Sequence, residues 1–384
     1  MKPKKLFALP LLVLTVVAVF AAAYAEDSDK LGPYKLLTTI DIPGGLTGFD
    51  ISWVDSEAGR YYLADRGNAT ATPPVLPRID VIDTKHNKFL FSIPGFAGGN
   101  GIVAIHGAGD DDEFDQPSSG ELWVGDANST AKIVDLAHPF AVPFSISTGG
   151  TARADELAFD PKDQIILIAN DRDKPPFITF ISTNSRTVLG KILYDGKSGN
   201  PLATGGIEQP VWDGAKGRFY LAIPATGANP KGEVDEINPT TMKITRIFPT
   251  TCGPAGLALI PGQRLMTSCG DVLDIATGAV LHTVTPTVGG DEIWFNSGDE
   301  RVYFGGGTNR ISVDVVDALN YRKITSLTVG LLLPPVPPAT FNPGSHTTHS
   351  VAADSELNRI FVPVSHEGVK VYTDDRDNGE GPDN

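Results

Sequence analysis

Asp155-Glu-Leu-Ala-Phe-Asp-Pro-Lys-Asp-Gln-Ile-Ile-Leu-Ile-Ala-Asn-Asp171 is a polar residue opening an apolar run, then a turn, then a second apolar run ending in polar groups. The pattern returns with Asp50-Ile-Ser-Trp-Val-Asp55 before Arg60-Tyr-Tyr-Leu-Ala-Asp65, and with Glu208-Gln-Pro-Val-Trp-Asp213 before Arg218-Phe-Tyr-Leu-Ala-Ile223. Asp291-Glu-Ile-Trp-Phe-Asn296 precedes Arg301-Val-Tyr-Phe304, and His349-Ser-Val-Ala-Ala-Asp354 precedes Arg359-Ile-Phe-Val362. Weaker copies open at Asn100 and Ala255. After most pairs come a third and a fourth alternating run, such as Arg78-Ile-Asp-Val-Ile-Asp83 and Lys88-Phe-Leu-Phe-Ser-Ile93. Seven copies of a four-strand unit predict an all-β, seven-bladed β-propeller. The last copy has three runs only, and Tyr34-Lys-Leu-Leu-Thr-Thr-Ile-Asp-Ile42 stands alone before the first. An open sheet edge is a liability, so the N-terminal strand is expected to complete the last blade. The expected domain covers residues 32–374, after a disordered stretch 26–31 and before an acidic disordered tail 375–384.

Composition sets the address. Lys2, Lys4 and Lys5 precede an apolar run from Leu6 to about Ala22, and Ala23-Tyr24-Ala25 fits a cleavage box. Residues 1–25 therefore read as a signal peptide, with an uncleaved anchor as the alternative. Its removal takes three positive charges and no acid, moving the net charge from −15 to −18. Such a polyanion without a Lys/Arg cluster argues against nucleic acid and anionic lipid as partners. A secreted or periplasmic monomer is expected. Cys252 and Cys269, the two cysteines, fall before a first strand and at the end of a second strand of one copy. Antiparallel neighbours bring those points together, so a structural disulfide is expected; a redox pair is the alternative.

The units resemble the YVTN or YncE-like seven-bladed propellers, which share the x-Asp-x-x-x-x-Asp-x-x-x-x-Arg-hydrophobic-Tyr-hydrophobic unit. The resemblance spans nearly the whole mature chain and implies the fold; the family's roles are binding or unknown, and related propellers include a lyase and redox subunits. There is no C-x-x-C-H for covalent haem, and no G-x-S-x-G, Walker A or G-x-G-x-x-G in context.

In a propeller the first strand starts on one face and the second returns to it. Asp50, Asn100, Asp155, Glu208, Ala255, Asp291 and His349 are therefore expected to ring one mouth of the central channel, with Asp65, Arg66, Asp126, Asn170 and Asp171 beside them. Loops 67–77, 225–231 and 331–348 rise from the same face, and function gathers on such loops. Each polar residue also has a structural reading: a hydrogen bond to the neighbouring blade. The ring as a whole concentrates four carboxylates, so Arg66, Arg153, Arg172, a cation or a cationic ligand is expected to balance it. The expected function is binding of a small ligand or protein partner at this mouth. The alternative is a metal-assisted lyase or hydrolase with Zn or Ca held by His346, His349 and Asp291, and with His349, His346, Glu208 and Asp155 as catalytic candidates. A pure assembly scaffold is the third class. The acidic loop 109–115 reads as a solvated turn. The four tryptophans, 53, 123, 212 and 294, read as packing between blades.

Overall fold

The computed structural model describes residues 34–106, 120–286, 288–306, 310–335, 339 and 341–374. The expected signal peptide, the 26–31 stretch, the acidic loop 109–115 and the tail 375–384 lie outside them. Among the described residues, twenty-eight strands form seven four-stranded sheets. A lone strand β1 (Lys35–Ile40) comes first. Blade 1 is β2 (Phe49–Asp55), β3 (Arg60–Asp65), β4 (Arg78–Asp83) and β5 (Lys88–Ile93). Blade 2 is β6 (Gly99–His106), β7 (Gly120–Asp126), β8 (Thr130–Asp135) and β9 (Phe144–Ser147). Blade 3 is β10 (Leu157–Asp160), β11 (Ile165–Asn170), β12 (Phe177–Ser182) and β13 (Thr187–Leu193). Blade 4 is β14 (Pro210–Asp213), β15 (Arg218–Ile223), β16 (Glu233–Asn238) and β17 (Lys243–Pro249). Blade 5 is β18 (Leu257–Ile260), β19 (Arg264–Thr267), β20 (Asp271–Asp274) and β21 (Val280–Thr283). Blade 6 is β22 (Ile293–Asn296), β23 (Arg301–Phe304), β24 (Ser312–Asp317) and β25 (Lys323–Thr328). Blade 7 is β26 (Ala352–Asp354), β27 (Arg359–Val364) and β28 (Gly368–Thr373), and β1 is its outermost strand, in the order β1-β28-β27-β26.

The recurring acid has a local cause. The last residue of the first strand caps the turn that follows by accepting amide hydrogen bonds. Asp160 accepts from Lys162 and Asp163, Asp213 from Ala215 and Lys216, and Asp354 from Glu356 and Leu357. Asp55 accepts from Ala58, and Asn296 from Gly298. An Asx side chain imitates a backbone turn at little conformational cost, which is why this residue type recurs at this position.

Burial follows strand position. The second strand β11 is buried along its whole length, whereas the outer strand β13 alternates toward solvent. The apolar core lies between sheets rather than inside one: Tyr62 and Ile79 of blade 1 pack on Ile102 and Leu122 of blade 2, and Phe180 of blade 3 packs on Phe219 of blade 4. Each first strand packs on its neighbours, and β26 packs on β2, which closes the ring. Arg359 of blade 7 donates to the carbonyls of Thr84 and Lys85 of blade 1 across the same seam. Cys252 and Cys269 are disulfide-bonded, with Cα atoms 6.0 Å apart. Among the described residues no helix is long and apolar enough to cross a membrane.

Candidate functional site

A backbone irregularity aims the site. In a regular strand, consecutive side chains point to opposite faces. Here two residues at the start of each of several first strands share one partner residue on the second. Asp155 N–H donates to Ala169 O at 2.7 Å, and Ala169 N–H donates to Glu156 O at 2.9 Å. The same exchange joins Glu208 and Gln209 to Ala222, and Asp291 and Glu292 to Gly305. In blades 1 and 2 the register shifts between Phe49 and Ser52 and between Gly99 and Ile102. Such bulges re-aim side chains. Gly125 belongs to this arrangement, because an added Cβ would overlap the Asp155 carbonyl of the next blade.

Most of the sequence-predicted ring converges. Arg153 is its hub. Its guanidinium lies 2.6 Å from Asp155, 2.9 and 3.1 Å from the two oxygens of Asp171, and 3.3 Å from Asp50. Arg66 also pairs with Asp50 and donates to Asn100 Oδ1 at 2.7 Å. Arg172 reaches Asp171 at 2.7 Å. His349 Nε2 lies 3.3 Å from Asp50 and its ring stacks on Phe49 at 4.9 Å. Asn100 donates to the Ala154 carbonyl at 2.8 Å, so it also stitches blade 2 to blade 3.

Five carboxyl groups, Asp50, Asp155, Asp171, Glu208 and Asp291, thus face three arginines. Burial pushes Asp50 up, but the His349 hydrogen bond and the charges of Arg66 and Arg153 outweigh it, and its carboxyl sits below the usual range. Burial and the charge of Asp50 push Asp155 well above that range, despite Arg153. Burial, then Asp171 and Asp291, push Glu208 up to about 8. Asp291 is also raised, chiefly by burial. Glu208, which the arginines do not bind, therefore favours its proton near neutrality unless a cation replaces it.

Three predicted residues take other partners. Asp65 is bound by Arg78 at 3.0 Å and by the Gly67 amide at 2.8 Å. Asp126 accepts the amides of Ala97, Gly98 and Ala127. Both are held by groups of their own blade or its adjoining loop rather than by a neighbouring blade. His346 does not share the partners of His349: its Nδ1 lies 2.7 Å from Glu367, its ring lies 5.9 Å from that of His366, and its backbone bridges to Leu331. Asn170 lies behind the ring, donating to Ser129 Oγ at 2.9 Å and to the Arg153 carbonyl. Among the described residues the carboxyl oxygens of Asp155, Asp171 and Glu208 form a group within 4.8 Å of one another that could hold a metal ion; it includes neither histidine nor Asp291. Arg153 and Arg172 already bind two of these carboxylates, so a metal would have to compete with them.

Beyond the ring lies a cavity of about 520 Å³ along the first strands. None of the ring carboxylates lines it; the residues next in sequence, Glu156, Gln209 and Glu292, do. Its wall continues through Trp53, Trp212 and Trp294. The expectation that the tryptophans pack between blades holds for Trp123, which is fully buried, and for these three, which pack against the cores between blades and also show a face to the cavity. The bulges and the short first strands turn them inward, and Trp53 meets Trp294 edge-on at 5.2 Å. Glu156 and Glu292 escaped the sequence reading, although the acid pairs Asp155-Glu156 and Asp291-Glu292 stand at equivalent places in two copies.

No protein-family model and no curated protein matches this sequence. Among solved structures, a chain from the crystal structure of a mitotic checkpoint complex superposes with a TM-score of 0.61 at 12% identity, over 97% of each chain. That likeness is one of fold: the chain is a seven-bladed β-propeller.

Proposed function

We propose that the chain is an exported binding propeller of the YVTN/YncE-like kind, which takes a cationic group of a small ligand or protein partner at the polar mouth of its channel. One observation carries this reading: residues from five blades converge on one opening with more carboxyl groups than arginines. A positive ligand would displace the protons held there and recover the desolvation cost of Glu208 and Asp291. The lysine-led apolar leader and the Cys252–Cys269 bond support an oxidising destination, the periplasm or the exterior. The mature chain is taken as a monomer, without nucleic-acid or membrane partners. Titration with spermidine, arginine amide and Ca²⁺, followed by melting temperature, tests the mouth. A saturable rise that disappears in Glu208→Gln/Asp291→Asn supports it; no rise with any of the three refutes it.

The grouping of Asp155, Asp171 and Glu208 favours a second reading, a metal-assisted lyase or hydrolase. It uses these three carboxylates in place of the His346, His349 and Asp291 set. A bound divalent ion would polarise a substrate oxygen, and a neighbouring group outside the three ligands, such as His349, would move the proton. Elemental analysis of the purified protein tests it: stoichiometric Zn or Ca supports it, and metal-free protein whose melting is unchanged by chelator removes it.

A further inference from the structure

The axial cavity has a chemistry of its own. Its volume of about 520 Å³ lies in the range of small-molecule sites, and its wall is largely apolar and aromatic. The chargeable side chains on that wall are Glu156 and Glu292; no lysine, arginine or histidine is among the lining residues. Glu292 is partly engaged. It accepts from Ser350 Oγ and from the Val351 amide at 3.3 Å, and Ser350 is bonded in turn to Ser52, so this carboxyl ties blades 6, 7 and 1 together. Glu156 differs. It is only 7% exposed, it lines the cavity, and among the described residues its carboxyl has no hydrogen-bond partner. Its oxygens are not among the sealed, unpartnered atoms of the interior but are open to the cavity, and a carboxyl with so little exposure is costly to ionise unless something there completes it.

We propose that this cavity binds a small amphipathic amine, with its ammonium against the Glu156 and Glu292 carboxyls and its apolar body against Trp53, Trp212 and Trp294. An anionic ligand would meet two acids and no cation. A neutral apolar ligand would leave Glu156 uncompensated. An ammonium supplies donors to Glu156 and gains from the indole faces on the way in. The site goes beyond the mouth reading and does not rest on it, since the ring carboxylates do not line the cavity.

The test uses the purified full chain at pH 7.5 and three probes with one body: 4-phenylbutylamine, 4-phenylbutan-1-ol and 4-phenylbutyrate. Three of the four tryptophans line the cavity, so indole fluorescence reports occupancy. The amine is expected to give saturable quenching at least tenfold tighter than the alcohol, with no response to the acid. Glu156→Gln, a neutral replacement of similar shape, is expected to weaken the amine at least tenfold and leave the alcohol unchanged. Ala104→Trp, which fills the cavity from its wall, is expected to abolish both. Equal affinity for amine and alcohol in the unmodified protein overturns the proposal. So does amine binding that survives Glu156→Gln or Ala104→Trp, or an absence of saturable quenching by the amine. Failure here leaves the spermidine and Ca²⁺ titrations of the mouth unaffected, because their readout depends on Glu208 and Asp291.

Discussion

Replacing Glu292 by Gln should stabilise the protein near neutrality and do little in acid. Burial raises the Glu292 carboxyl from 4.5 to about 8, with the Ser350 hydrogen bond only partly offsetting it. The folded protein therefore keeps this proton while the unfolded chain loses it above about 4.5. The stability associated with that proton is complete below about 4.5 and is lost as pH rises toward 8. At pH 7 the penalty, about 2.5 pH units at roughly 1.4 kcal/mol each, is about 3 kcal/mol. Glutamine removes it and can still accept from Ser350 and Val351 through its carbonyl. With an unfolding entropy of about 2.1 cal/mol/K per residue, Leu36–Tyr372 gives roughly 0.7 kcal/mol/K, so melting should rise by about 4 °C at pH 7. Melting curves of both proteins at pH 4.5, 6, 7 and 8 check this. A shift independent of pH, or a fall at pH 7 equal to that at pH 4.5, would show that Glu292 is ionised in the folded ring and would refute the reasoning.

Arg153→Gln leaves Asp50, Asp155 and Asp171 without their shared cation, so urea denaturation should show a loss of about 3 kcal/mol at pH 8 and a smaller loss in acid, where Asp155, raised well above the usual range, is neutral. Gly125→Ala pushes a Cβ into the Asp155 carbonyl and should cost about 3 kcal/mol in the same assay, without the pH dependence. Reduction of Cys252–Cys269, which closes a separation of 17 residues, should lower stability by about 3 kcal/mol, read as a fall in melting temperature with reductant.

The propeller was legible because its turns are chemically strict. Asp55, Asp160, Asp213 and Asp354 cap the same turn in four blades, and the apolar second strand follows each at a fixed distance. The mouth was legible because topology alone returns Asp50, Asp155, Glu208, Asp291 and His349 to one end. The destinations of individual side chains were not. Asp65 and Asp126 end second strands as Asp171 nearly does, yet local amides and Arg78 claim them, and no pattern of spacing encodes that competition. His346 and His349 sit three residues apart on irregular backbone, so their spacing carries no common direction. The cavity-facing sides of Trp53, Trp212 and Trp294 were not legible because a first strand is enclosed on both faces. Alternation of polarity, the usual guide to which way a side chain points, is absent there.

The seventh blade borrows its outer strand from the start of the chain. Among the described strands β1 is the first in sequence, yet its hydrogen-bonding partner β28 is the last. Blades 1 to 6 are each continuous in sequence, whereas the circle locks only when the two ends of the described chain pair. Sequence order and structural order are thus offset by one strand. Rejoining the ends and opening the chain between two other blades would give a permuted protein whose every sheet is continuous in sequence, and whose last closure no longer depends on the earliest residues.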